Sequence, residues 1–255
     1  MHIPEIILFK ESYSMSSDDR REFLGGLKDG IPIALGYLSV SFGFGIMAVS
    51  GGLSVFAAVL ISMTNLTSAG QVAGLTVIAE GGALIEMAVA QFVINLRYSL
   101  MSLSLSQKLN NRFTWLSRLA VSFGITDEIF AVASGRSKEV SKQYMAGLIS
   151  LPWVGWALGT FLGAAAGEIL PEKLKAALGI AIYGMFVAIF VPAARKAVGV
   201  LAVVLIAVTA SCCLRYIPLF DGVSDGFAII ICTALAAAAG ALFFPVKQQE
   251  GGGEA

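Results

Sequence analysis

From Ile31 to Ala79 the chain contains no Asp, Glu, Lys, Arg or His. A helix needs roughly 20 apolar residues to cross a ~30 Å hydrocarbon core, and this run is more than twice that length. Four more uncharged windows follow, at 143–167, 176–194, 197–214 and 226–244. Windows of that length cannot all be buried strands of a small soluble core. Outer-membrane strands would show alternating segments of ~10 residues, and none is visible. Charged residues are 13% of the chain, hydrophobic residues 57%, and mean hydropathy is +0.82. A soluble domain carries about 25% charged residues to solvate its surface, so part of this chain's solvent is lipid. The expected fold is all-α: a polytopic transmembrane helix bundle of about seven spans, within a range of six to eight.

The same composition removes several functions. The formal net charge is zero, so there is no nucleic-acid footprint. Cys212, Cys213 and Cys232 all lie in apolar windows and read as packing residues rather than disulfides or metal ligands. The single histidine is His2, which leaves no buried imidazole for a metal site or for Ser-His chemistry. A diaspartyl site would need a membrane-embedded mate for Asp127, and none is evident. No cofactor is expected, and no G-x-x-x-x-G-K-[ST] phosphate loop occurs. The chain does not read as an enzyme.

Residues 1–21 read as a tail, 22–245 as one transmembrane domain, and 246–255 as a polar, Gly-rich tail. Ile3–Phe9 is too short for a signal-peptide core and contains Pro4 and Glu5. Met15 reads as an alternative start. Ser16–Gly30 is a polar, amphipathic lead-in, and Pro32 is expected to open a first span near 31–50. Gly36, Gly43 and Gly45 inside it suit close helix packing. The stretch 53–79 is apolar at both ends and polar from Thr64 to Gln71. It is either one helix with a polar waist or two half-helices meeting at a break, re-entrant in the second case. A break inside lipid needs its freed backbone groups satisfied by protein, and Asn65, Thr67, Ser68 and Gln71 can do that.

Segment 83–105 carries Glu86, Gln91, Asn95 and Arg97. At ~100° per residue, Gln91, Asn95 and Ser102 share one face, while Glu86 and Arg97 fall opposite. A basic linker with Lys108, Arg112 and Arg118 precedes a short segment, 119–134, that carries Asp127 and Glu128. Arg136, Lys138 and Lys142 follow. Clearer spans are expected at 144–167, 176–194, 197–214 and 224–244. Short Lys/Arg-rich loops belong on the cytoplasmic side. The 106–118 linker obeys that rule only if 53–79 turns back, and 119–134 poses the same question. Pro32-x3-Gly36-Tyr37 and Pro152-x2-Gly155-Trp156 hint at an internal repeat, and inverted repeats are common in secondary transporters.

Ionisable groups inside a membrane are expensive, roughly 2.5–3.5 kcal/mol for Asp, Lys or Arg on insertion scales. Three groups are therefore candidate sites: the waist 64–71, the Gln91/Asn95 face, and Asp127 with Glu128. Interhelical hydrogen bonding is the plainer explanation for each. A helix restarting near Ser68 would present free N–H groups and the positive end of its dipole to a carboxylate. Glu86, Asp127 or Glu128 could balance an ammonium or carry a coupling proton. An apolar lining suits an aliphatic side chain, so an amino acid with a greasy side chain fits, as do other small solutes.

In order along the chain stand Gly30-Ile-Pro-Ile-Ala, Phe42-Gly-Phe-Gly, Ser68-Ala-Gly-Gln71, Asn95-Leu-Arg-Tyr98 and Thr126-Asp-Glu-Ile-Phe130. This ordered set resembles the AzlC family, the large subunits of bacterial and archaeal branched-chain amino-acid exporters. The resemblance spans roughly 22–245 and is strongest in 25–135. The chain departs from the family pattern at Leu66-Thr67-Ser68-Ala69-Gly70 and at Tyr98, gaining hydroxyls and losing an imidazole. The resemblance implies a secondary transporter in the cytoplasmic membrane of a bacterium or archaeon, driven by an ion or proton gradient. It also implies a small AzlD-like membrane subunit, and a homo-oligomer is compatible with it. Asn65, Thr67, Ser68, Gly70 and Gln71, with Gln91 and Asn95, are the expected substrate region. Glu86, Arg97, Asp127 and Glu128 are the expected coupling or structural charges. Loss of Gln71 or Asp127 is expected to impair export without loss of insertion. The rival readings are a non-transporting scaffold subunit and a transporter of another small zwitterionic or anionic solute.

Overall fold

The structure is a computed structural model that describes residues 16–220 and 222–244. Residues 1–15 of the expected 1–21 tail, with His2 and Met15, and the expected tail 246–255 lie outside the described residues, while 17–21 form the start of the first helix. Helix α1 runs Ser17–Ser50. Ser16 caps it by accepting the Asp19 amide at 3.1 Å, and Asp18 and Asp19 oppose the helix dipole. Pro32 lies inside this helix rather than opening it, so lead-in and span are one rod. The remaining helices are α2 (Val55–Thr64), α3 (Ser68–Ala79), α4 (Leu84–Ser106), α5 (Trp115–Phe123), α6 (Asp127–Gly135), α7 (Lys142–Ile169), α8 (Glu172–Lys196), α9 (Val198–Tyr216) and α10 (Asp225–Phe243).

The core of the bundle is a parallel pair, α1 and α7, in contact along their length. A Cβ on Gly30 would stand 2.9 Å from the Leu148 carbonyl oxygen, and one on Gly155 2.7 Å from that of Ala34. Gly26 meets Tyr144, Gly163 meets Phe42, and Gly167 meets Ile46 and Val49. The numbers rise together, so the helices point the same way. Small residues let membrane helices approach backbone to backbone, where dispersion replaces the missing hydrophobic drive. Of the three glycines expected to pack, Gly45 abuts Thr160 and Ala164, whereas Gly36 faces open space.

Both doubtful segments turn back. Helix α2 leaves the C-terminal end of α1 and reaches the depth where Trp153 Nε1 donates to the Met63 carbonyl at 3.0 Å. After a break at 65–67, α3 returns until Leu75 packs with Ala48, Phe44 and Ala58 beside Gly51. The second break lies at 124–126, so 119–134 is two short helices rather than one. Helix α5 starts near Arg112, which pairs with Asp19, and climbs to the depth of Tyr37. Helix α6 descends again to Arg136, which forms a two-pronged ion pair with Glu22 at 2.7 and 2.8 Å. The Glu22 carboxylate holds the Arg136 guanidinium above its ordinary pKa.

Among the described residues, five helices are long and apolar enough to cross a membrane: α1, α4, α7, α9 and α10. Helix α8, of 25 residues, links the far end of α7 to α9. The hairpins enter from opposite ends and add no crossing, so these five with α8 lie at the lower end of the six to eight spans expected. Arg20, Arg21, Lys28, Lys108, Arg112, Arg118, Arg136, Lys138 and Lys142 then share one end. At the other end Glu86 accepts a hydrogen bond from Ser224, the Asp225 amide approaches Glu80 at 3.4 Å, and Arg215 lies 3.8 Å from Asp225.

This arrangement can be tested by labelling. In a chain with Cys212, Cys213 and Cys232 changed to Ser, single cysteines at Ser54 and Ala79 should react with a membrane-impermeant thiol reagent from one side. Cysteines at Asn111 and Ser137 should react from the other. Opposite labelling of the two members of either pair overturns the hairpin.

Candidate functional site

The breaks meet where the chain could least afford unpaired backbone. At the first, Thr67 caps α3 by accepting the Gly70 amide at 3.2 Å. The amides of Ser68 and Ala69 are left without an intrahelical acceptor. At the second, Thr126 caps α6 by accepting the Ile129 amide at 3.4 Å, and Asp127 and Glu128 form the first turn. Two positive helix ends thus come from opposite sides of the bundle to one depth.

Each break is tied to the central helix of the α1–α7 pair that carries its aromatic partner. Trp156 of α7 donates its indole N–H to Gln71 Oε1 at 3.1 Å. The Gln71 amide nitrogen in turn donates to the Asn65 carbonyl, one of the groups freed by the break. Tyr37 of α1 places its hydroxyl 2.6 Å from Thr126 Oγ1 and 2.6 Å from Glu128 Oε2. The two rings meet edge to face, with centroids 5.2 Å apart. Thr67, Gln71, Thr126, Tyr37 and Trp156 are all buried.

Helix α4 completes the first break. Gln91 donates to the Gly70 carbonyl at 2.7 Å, and Asn95 donates to Gln91 Oε1 at 3.2 Å. The Asn95 amide oxygen is buried with no partner among the described residues. Two residues beyond Asn95, Arg97 pairs with Asp127 at 2.9 Å. Gln91 and Asn95 of α4 thus serve the first break and Arg97 of the same helix the second.

Two spaces flank this junction. A small chamber, with room for about one water, is lined by Tyr37, Ser68, Tyr98, Asp127, Glu128 and Trp156. Beside it lies a cavity of about 220 Å³ whose walls are mainly Phe44, Leu53, Ile61, Leu75, Ile78 and Met87. Its polar rim is Thr64, Asn65, Gln71 and Gln91. Gln71 lines the cavity and Trp156 the chamber, so their hydrogen bond stands between the two.

Of the expected residues, Asn65, Gly70, Gln71 and Gln91 border the cavity, and Ser68, Asp127 and Glu128 border the chamber. Thr67 and Asn95 support them through hydrogen bonds. Arg97 joins through Asp127. Glu86 does not join: it is buried at the far end of α4 against Ser224 and Gly226 of the α10 start. The expected set omitted Tyr37, Trp156, Tyr98 and Thr126. The paired proline–glycine–aromatic patterns were the visible signal for the first two, because both aromatics sit at matching places on the two central helices.

Comparison with known proteins places these features in a group. The profile of a family described as AzlC protein matches residues 32–170, which hold both hairpins, α4 and α7. Inner membrane protein YgaZ of Escherichia coli K12 is 30% identical over 171 residues, 64% of this chain and 70% of that protein. An uncharacterized membrane protein of Archaeoglobus fulgidus is 32% identical over 172 residues, 67% of this chain and 75% of that protein. An uncharacterized membrane protein of Helicobacter pylori 26695 is 27% identical over 154 residues, 58% and 67% of the two chains. No solved structure matches.

Proposed function

The chain belongs to the AzlC family, and on that premise we propose that it is the large subunit of a secondary transporter exporting branched-chain amino acids. The observation that carries the reading is the meeting of two re-entrant helix ends beside one apolar cavity. Broken helices at mid-membrane suit a zwitterion, because their backbone ends supply charge without buried ions. The Ser68 and Ala69 amides can hold a substrate carboxylate, as oriented N–H donors do at other helix starts. The acidic first turn of α6 can hold the ammonium, and the cavity can take an aliphatic side chain. Asp127 or Glu128 carries the coupling proton or ion. The chamber in this state is too small for an amino-acid head group, so transport requires the breaks to part.

The polytopic fold belongs in the cytoplasmic membrane, with the basic end facing the cytoplasm by the positive-inside rule. A small AzlD-like subunit is the expected partner. Arg97 and Asp127 support that view. Their side chains are 44% and 30% exposed at mid-depth, and on α4 beside Arg97 the side chains of Phe92, Leu96 and Leu100 are also exposed. A charge pair open to lipid is costly, and a protein cover removes that cost.

Leucine efflux from cells expressing this chain, with and without its nearest small membrane-protein neighbour, tests the reading, with valine, methionine and glutamate as comparators. Efflux of the aliphatic amino acids with both proteins present is expected. Absence of efflux under either condition removes the transport claim and leaves the fold.

A further inference from the structure

We propose that Glu128, and not Asp127, is the shared site at which a proton and the substrate's ammonium exchange, with Tyr37 and Thr126 reporting which one is bound. This rests on the transport reading above and goes further, since it names the group and the coupling rule.

The two neighbouring carboxyls are differently placed. Asp127 already has a cation, Arg97, at 2.9 Å. Removing that partner would leave the guanidinium at this depth with only the hydroxyl and ring of Tyr98 against it, so the pair is fixed in place. Glu128 contacts a phenol instead, and no cation pairs with it among the described residues. The groups that face it are Tyr37 from α1, Ser68 from α3, Arg97 and Tyr98 from α4, Thr126 and Asp127 from α6, and Trp156 from α7. The only cation among them is spent on Asp127. A carboxylate at this depth is neutralised either by a proton or by a cation brought from outside. Both would occupy the same oxygens, so binding one expels the other. That competition is the rule an antiporter needs: a proton entering and an amino acid leaving alternate on one group.

Tyr37 has one hydroxyl hydrogen and two oxygen neighbours at 2.6 Å, which restricts how the hydrogens can be arranged. With Glu128 ionised, Tyr37 donates to Glu128 and Thr126 donates to Tyr37. With Glu128 protonated, the carboxyl O–H donates to Tyr37, and Tyr37 donates to Thr126. The chain of hydrogen bonds reverses, and the Thr126 hydrogen turns elsewhere. Every proton is accounted for: the one taken up by Glu128 comes from the bath, and the rest only reorient. Because Thr126 also caps α6 through the Ile129 amide, the reversal acts at the break itself.

The test uses the full chain with its small membrane-protein neighbour, purified in detergent and in weak buffer. Addition of leucine should release protons, read by a pH-sensitive dye, up to one per leucine bound. Apparent leucine affinity should fall up to tenfold per pH unit on the acid side of the profile. In Glu128→Gln, proton release should vanish and the remaining affinity should not vary with pH. Glu128→Asp should restore a pH-dependent response. Glu86→Gln, which changes a membrane carboxyl at the far end of α4, should keep the release. Tyr37→Phe should keep release but shift the pH profile. Undiminished proton release in Glu128→Gln overturns the proposal, as does leucine binding by the parent without any release. Both leave the transport reading intact. A parent that binds no leucine removes that reading and this proposal with it. Size-exclusion profiles and thermal unfolding of each variant identify any that fail to fold.

Discussion

Gln71→Ala should lower leucine efflux tenfold or more while leaving the amount of protein in the membrane unchanged. The side chain is 2% exposed and holds two groups at once. It accepts the Trp156 indole N–H and donates to the Asn65 carbonyl. Truncation leaves both unpaired in a sealed place, at about 1–3 kcal/mol each if no water enters. The first break is then free to relax toward other backbone arrangements, and its N–H groups lose their aim. Insertion is not at risk, because α1, α4 and α7 remain unchanged. Trp156→Phe removes only one of the two bonds and should have a smaller effect. The double variant should fall short of the sum, because both act through one hydrogen bond. Efflux at the parental level in Gln71→Ala would separate this network from transport.

Gly163→Val should abolish recovery of folded protein in mild detergent. A Cβ at this position would run into the Phe42 backbone, and no flexible side chain stands in between to yield. Overpacking of a tight contact typically costs about 1–3 kcal/mol and more where backbone must move. Here the contact is the axis of the bundle, since α1 and α7 bring Tyr37 and Trp156 together. Gly36→Val is the control. Gly36 lies on the same central pair but opens on free space, so its substitution should leave recovery unchanged. Equal recovery of both variants would show that close approach of α1 and α7 is not needed for folding.

The two results concern residues that differ in how much the linear chain reveals. Gln71 stands out in the sequence because a polar run in a 49-residue uncharged window, Ile31 to Ala79, asks for a purpose. Gly163 does not stand out, since glycine is common in membrane helices and only the neighbour it meets tells packing from open space. Gly36 makes the point in reverse: its spacing matched a packing glycine, and the fold turned it away from α7.

Charge pattern and length, read along the chain, determined that this is a bundle of membrane helices, where its long spans lie, and which polar positions are too costly to be incidental. Those properties are legible because a residue's transfer free energy into lipid depends on its own side chain and its near neighbours. Whether 53–79 and 119–134 cross or turn back was not legible. Half-helices of 9 to 12 residues look alike in either case. Only contacts between distant segments, Leu75 beside Gly51 and Arg136 on Glu22, decide it. The same holds for the site. Tyr37 and Thr126 are 89 residues apart, and Gln71 and Trp156 are 85 apart. Glu86 was drawn to the site by its chemistry and removed from it by its place on α4. Solvation is a local property and can be read from composition, whereas pairing at a distance depends on how α1 and α7 pack, and that is decided only when the helices meet.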